Sequence, residues 1–183
     1  MLKHIYTEPQ FGEDWFTYPN LYKSMVNLFP TGAHFVEVGS WKGKSSAFMI
    51  TEILNSNKKI KFDCVDTFEG GPEHNNIDTS NLYDIFISNM KPFENNYNVL
   101  KMTSVEASKQ YEDNSLDFVF IDACHDYECV NEDIKVWYPK VKIGGILAGH
   151  DYPAFPGVVR AVHEHINENL YFTEMCWIHN KIK

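Results

Sequence analysis

The chain lacks the features that mark membrane, secreted and nucleic-acid-binding proteins. It holds no run of about 18 apolar residues, the length that spans a bilayer, and its opening "MLKHIYTEPQ" has no apolar secretory segment. Basic residues are few: 16 Lys and Arg stand against 25 Asp and Glu, for a formal charge of −9. Their one cluster, Lys58, Lys59 and Lys61, reads as a solvated turn. Nucleic acid calls for a clustered basic face, so the composition predicts a cytoplasmic protein that engages neither nucleic acid nor membrane. The four cysteines, Cys64, Cys124, Cys129 and Cys176, form no C-x-x-C pair and no zinc pattern. They read as reduced thiols, although Cys124, next to His125, could serve as a nucleophile. Low-complexity tracts and Pro/Gly/Ser-rich linkers are absent as well. With 183 residues, 44% of them hydrophobic, the chain predicts a single compact domain over 1–183.

What is present is an alternation. Strand-length apolar runs lie at 34–39, 60–66, 97–102, 116–122 and 144–151, and all but 97–102 end in Gly or Asp. Stretches with helical spacing, at 44–55, 80–91, 104–111, 126–138 and 157–169, lie between or after them. Strand and helix in turn predict an α/β, Rossmann-like sheet, mostly parallel, with helices on both faces. The tail "LYFTEMCWIHNKI" (170–182) holds two strand-like pieces with no room for a helix between them, which predicts a C-terminal antiparallel hairpin and seven strands in all. Residues 1–30 are rich in aromatics and read as a cap over the site, as core packing or as a dimer contact. The polar stretch 67–86 reads as a flap hinged at Gly70 and Gly71, or as plain loop.

Ligands of such sheets bind at the carboxyl ends of the strands, which directs attention to "VEVGSWKGKSS" (36–46). The Gly-Lys-Ser turn is one residue short of a triphosphate-binding loop, because the position that needs glycine is Val38. A dinucleotide fingerprint fails at Trp41, whose indole stands where glycine is required. The remaining pattern is a strand with Glu37, a turn built on Gly39, Ser40 and Gly43, a helix, and a second strand ending in Asp66. It suits a ligand with a ribose diol and no phosphate chain, Asp66 accepting from the diol and the glycines clearing its path. The other strand ends offer Asp122, and then His150 and Asp151, with His125 just beyond Asp122. Either histidine is suited to general base work near neutral pH, with an aspartate orienting it.

At these residues the sequence resembles the class I S-adenosylmethionine-dependent methyltransferases, with "VEVGSWKGKSS", "CVDTFEG", "LDFVFIDACHDY" and "IGGILAGHDY" in the order of that family's strands. "IDACHDYECVNEDI" followed by "GGILAGHDY" is similar to the small-molecule O-methyltransferases of the catechol and macrocin types. The resemblance implies S-adenosylmethionine as cofactor, held by Glu37, Gly39, Ser40, Gly43, Asp66, Ser104 and Asp122. It implies catalysis by His125 or His150 with Asp122, and methylation of a hydroxyl on a small molecule such as a sugar or phenol. It also implies a divalent cation, Mg²⁺, Mn²⁺ or another, on Asp122, His150 and Asp151, where His150 departs from the oxygen ligand of metal-dependent relatives. A homodimer would enlarge the acceptor surface. The alternatives are a non-catalytic member of the fold that binds the cofactor or a partner, and a nucleotide-binding enzyme using the Gly-Lys-Ser turn.

Overall fold

The computed structural model describes residues 1–183 apart from 72, 73 and 75. Its parallel strands are β1 (His34–Val38), β2 (Lys61–Asp66), β3 (Asn98–Lys101), β4 (Leu116–Ile121) and β5 (Val141–Gly149), followed by the hairpin β6 (Leu170–Thr173) and β7 (Cys176–Asn180). They form one seven-stranded sheet in the order β3-β2-β1-β4-β5-β7-β6, antiparallel only at β7 and β6. Between them run α2 (Lys44–Asn55), α3 (Leu82–Met90), α4 (Ser104–Ser108), α5 (Tyr127–Trp137) and α6 (Pro156–His165). The polar stretch 67–86 spans the residues outside the description, so the flap expected there lies partly outside the described residues.

Both faces of the sheet are covered. Side chains alternate along a strand, and in β1 Phe35 joins one core cluster while Val36 and Val38 join the other. In β4, Phe118 and Phe120 face the first cluster, and Val119 and Ile121 the second. The N-terminal segment adds a helix that aromatic content alone did not signal. This is α1 (Pro19–Leu28), which buries Leu21, Tyr22, Met25 and Val26 against the first cluster. Most of the aromatic cap is therefore core, and residues 11–18 alone run on over the site.

Register sets the site. Val38 pairs with Val65 on one side and Ile121 on the other, and Ile121 pairs with Gly149. The next residues of the four chains, Gly39, Asp66, Asp122 and His150, consequently lie in a row along the carboxyl edge. The chain reverses its direction of winding between β1 and β4, which opens a crevice there. Gly39 has φ +93°, and a Cβ on it would come 1.9 Å from the carbonyl oxygen of Asp122. Gly32 has nearly the same φ, +94°, with nothing within 4 Å of such a Cβ. The two glycines separate backbone strain from steric approach. Gly32→Ala is expected to cost about 1 kcal/mol, and Gly39→Ala at least about 4 kcal/mol or the fold itself, as read by urea unfolding. Equal costs would contradict the close approach.

Candidate active site

The carboxyl edge opens into a cavity of about 870 Å³ lined by residues of every parallel strand's end and by the strap 11–18. Of the residues singled out in sequence, Gly39, Ser40, Asp66, Ser104, Asp122, His125, His150 and Asp151 line it, and Glu37 and Gly43 do not. Glu37 is fully buried. Strand alternation turns it into the core beneath α1, where it accepts from the hydroxyls of Tyr22, at 2.8 Å, and Ser46. Burial raises its pKa, and the surrounding hydroxyls of Ser46, Ser45 and Tyr22 offset this in part. Gly43 is the left-handed residue, φ +86°, that starts α2, and a Cβ on it would come within 2.9 Å of the Met90 side chain. Both residues shape the turn from behind and lie outside the cavity lining.

Asp66 organises that turn. One carboxylate oxygen accepts from the amides of Ser40 (2.9 Å) and Trp41 (2.8 Å), and the other from the amide of Phe68 (2.7 Å). Trp41 sits at φ +48°, a conformation a bulky residue holds only when its surroundings over-determine it. A carboxylate offers about four acceptor positions, so one remains toward the cavity. Lys44 does not point to a phosphate: its Nζ lies 3.0 Å from both the Asp14 carboxylate and the Glu13 carbonyl, pinning the strap.

At the β4–β5 end four titratable side chains meet. His125 Nε2 lies 2.7 Å from Asp151 Oδ2, and the ring stacks on Phe155 with centroids 4.2 Å apart. His150 Nδ1 stands 3.5 Å from Asp122 and 3.4 Å from Asp151, while its Nε2 meets the Thr17 hydroxyl at 2.8 Å. Burial disfavours a charged His150, but hydrogen bonds and charge from Asp122 and Asp151 prevail and carry its pKa up to about 10. Asp151 is displaced the other way: burial would raise it, and the bonds to His125 and His150 hold it well below the usual carboxylate range. The ligand atoms that come within 4.8 Å of one another are those of Asp122, His125 and Asp151. This trio takes in His125, whereas His150, the residue the sequence suggested, holds its Nδ1 beside the same two carboxylates and its Nε2 against Thr17.

Two contributions were missed in the sequence. The strap supplies Thr17 and Tyr18, whose hydroxyl donates to Asp122 at 2.5 Å. Nothing in sequence spacing joins residues more than a hundred positions apart. The other is Asp133, which did leave a signal: it interrupts the buried stripe Val130, Ile134, Trp137 of α5, where a carboxylate is expensive. Asp133 is 5% exposed and borders the cavity, as Ser104 does. Burial raises its pKa to about 6, the Ser104 hydroxyl relieving and the Glu132 charge adding to the effect.

A parallel sheet reversed between β1 and β4, a glycine turn after β1 and an acid closing β2 together define a class I S-adenosylmethionine-binding methyltransferase fold. The chain belongs to the methyltransferase-domain family, whose model matches residues 36–152. Among solved structures it is similar to the O-methyltransferase NovP, with a TM-score of 0.69 at 20% identity, over 90% of this chain and 79% of that one. A Streptococcus mutans protein solved in complex with SAH gives a TM-score of 0.60 at 11% identity, over 87% of this chain and 93% of the other. Two curated relatives are uncharacterized proteins. One, from Sinorhizobium fredii, is 26% identical over 63% of this chain and 13% of its own length; the other, from Acanthamoeba polyphaga mimivirus, is 27% identical over 86% and 70%. The chain thus spans about an eighth of the first relative. No helix among the described residues is long and apolar enough to cross a membrane.

The raised pKa of Asp133 has a consequence for stability. The folded state holds its proton more tightly than the unfolded chain does, so Asp133 costs nothing below about pH 4 and its penalty grows as pH rises through about 6. At neutral pH the cost is about 3 kcal/mol. Asp133→Asn should therefore stabilise the protein at pH 7.5, with the gain falling to about a third of that at pH 4.5, as read by urea unfolding at both pH values. An equal effect at both would contradict the assignment.

Proposed function

We propose that this protein transfers the methyl group of S-adenosylmethionine to a hydroxyl group of a small molecule, with His125 as the general base. The observation that carries the reading is the His125–Asp151 contact of 2.7 Å on the wall of the cavity that Gly39, Ser40 and Asp66 also line. The residues present suit the cofactor: Asp66 keeps an acceptor position for a ribose hydroxyl, and a neutral glycine turn replaces a phosphate cradle. When bound, the cofactor supplies an electrophilic methyl group on a sulfonium.

Alignment and proton removal are what remain for the chain to do. His125 takes the proton of the acceptor hydroxyl, and Asp151 orients the ring and offsets the charge it gains. His150 is poorly suited to be the base, since its two nitrogens already face Asp122, Asp151 and Thr17. It stays as a half-buried cation that neutralises the two carboxylates. Thr17 and Tyr18 close the strap over the site and limit the entry of water. The net charge of −9 favours a small acceptor over a nucleic acid. The protein would work in the cytoplasm, where a second copy of the chain could extend the acceptor surface.

A second reading is favoured by the convergence of Asp122, His125 and Asp151. Two carboxylates and an imidazole suit Mn²⁺, Fe²⁺ or Zn²⁺ better than Mg²⁺, and a cation held there would lower the pKa of the acceptor hydroxyl. His125 would then be a ligand.

The test is S-adenosylhomocysteine release with a panel of sugars and phenols. The base reading expects turnover that survives EDTA and falls about 10²- to 10⁴-fold in His125→Ala, with cofactor affinity unchanged. Loss of turnover in EDTA and recovery with Mn²⁺ would replace it by the metal reading. Cofactor binding without transfer to any hydroxyl would contradict both.

A further inference from the structure

Three large apolar side chains stand exposed around the cavity: Trp15 of the strap (47%), Phe155 before α6 (39%) and Met175 in the β6–β7 turn (43%). Exposed apolar groups gathered at one opening mark a surface for a ligand. Met175 is the most telling of the three. It holds φ +64° beside Glu174 at φ +49°, in a two-residue hairpin turn where asparagine and glycine are favoured. Its side chain gains little burial there, so neither turn chemistry nor packing calls for a methionine. The backbone ties this turn to the reacting end. The Tyr152 amide donates to the Met175 carbonyl at 2.8 Å, and the Phe155 amide to the Asp151 carbonyl at 3.1 Å. The Phe155 ring, in turn, stacks on His125.

The polar groups of this end are paired with one another. Thr17 meets His150, Tyr18 donates to Asp122, and Asp151 faces both histidines, which leaves few groups to bind the several hydroxyls of a sugar. Charge narrows the choice further. Among the described residues, seven carboxylate side chains line the cavity, and Lys44, its one lysine or arginine, is already held at 3.0 Å by Asp14. Such a lining repels an anion. Resting on the methyl-transfer reading above, we propose that the acceptor is an aryl hydroxyl compound, a phenol carrying no anionic group, whose ring packs on Phe155 and Met175. Aromatic rings favour both contacts. A phenol also suits the base: its pKa of about 10 is within reach of an imidazole, whereas a sugar hydroxyl is far less acidic. The hydroxyl proton passes to His125 and the phenol oxygen bonds to the methyl carbon, while the carbon–sulfur bond breaks and its electron pair stays on sulfur.

The test measures S-adenosylhomocysteine release with p-ethylphenol, tyramine and p-hydroxyphenylpropionate, which share the phenol and differ in the charge of the tail, and with methyl glucoside. The expected kcat/KM for the anionic phenol is at least about tenfold below that for p-ethylphenol, with tyramine equal to or above it and no methylation of the glucoside. Met175→Gly suits the turn and should leave the urea midpoint unchanged or raised. It should raise KM for p-ethylphenol about tenfold, with kcat within about threefold of wild type. A merely structural role for Met175 would move the midpoint and not KM. Methylation of the glucoside or the anionic phenol at least as fast as p-ethylphenol would overturn the assignment, as would an unchanged KM in Met175→Gly. In those cases hydroxyl transfer is observed and the function proposed above stands. Transfer to none of the four compounds would overturn the assignment, and transfer to no hydroxyl in the wider panel would overturn the reading it rests on.

Discussion

The contact between Gly39 and the backbone of Asp122 is the constraint on which the site depends. Because a Cβ at position 39 would overlap the Asp122 carbonyl, the first turn can lie directly on the end of β4. The turn after β1 and the Asp122 carboxylate then become neighbours without any loop to bridge them. Asp66 completes the clamp by holding the amides of Ser40 and Trp41. Two backbone facts, one missing side chain and one set of amide bonds, fix the geometry to which the titratable groups are attached.

Those groups divide by how well they are paired. Glu37 is buried with hydroxyl partners and behaves as a structural pin between β1, α1 and α2. Asp122 and Asp151 share His150, and Asp151 also holds His125. Asp133 is buried with one hydroxyl partner and carries a raised pKa.

The architecture was legible because its signals are local. Alternating runs gave the five parallel strands, the lack of helix length in 170–182 gave the hairpin, and α2 has the bounds the sequence suggested. The row Gly39, Asp66, Asp122, His150 followed from strand ends alone. What was not legible needed a third dimension. The side on which Glu37 lies depends on which face α1 covers, and α1 itself was hidden in a run of aromatics. The packing of Met90 of α3 against Gly43, where a Cβ would collide, had no signal in the sequence either. The convergence of His125 with Asp122 and Asp151, and the contact of His150 with Thr17, join segments that no motif connects. Asp133 could have been caught, since an acid on the apolar stripe of α5 contradicts its own periodicity.

The central claim is that this crevice takes a sulfur nucleoside and not a nucleoside triphosphate, and thermal unfolding tests it most directly. At about a hundred times its dissociation constant a ligand adds about 2.7 kcal/mol, enough to move the midpoint by several degrees. The account predicts that shift with S-adenosylhomocysteine and none with ATP and magnesium. A shift with ATP and magnesium alone would contradict it and return the Gly-Lys-Ser turn to phosphate binding.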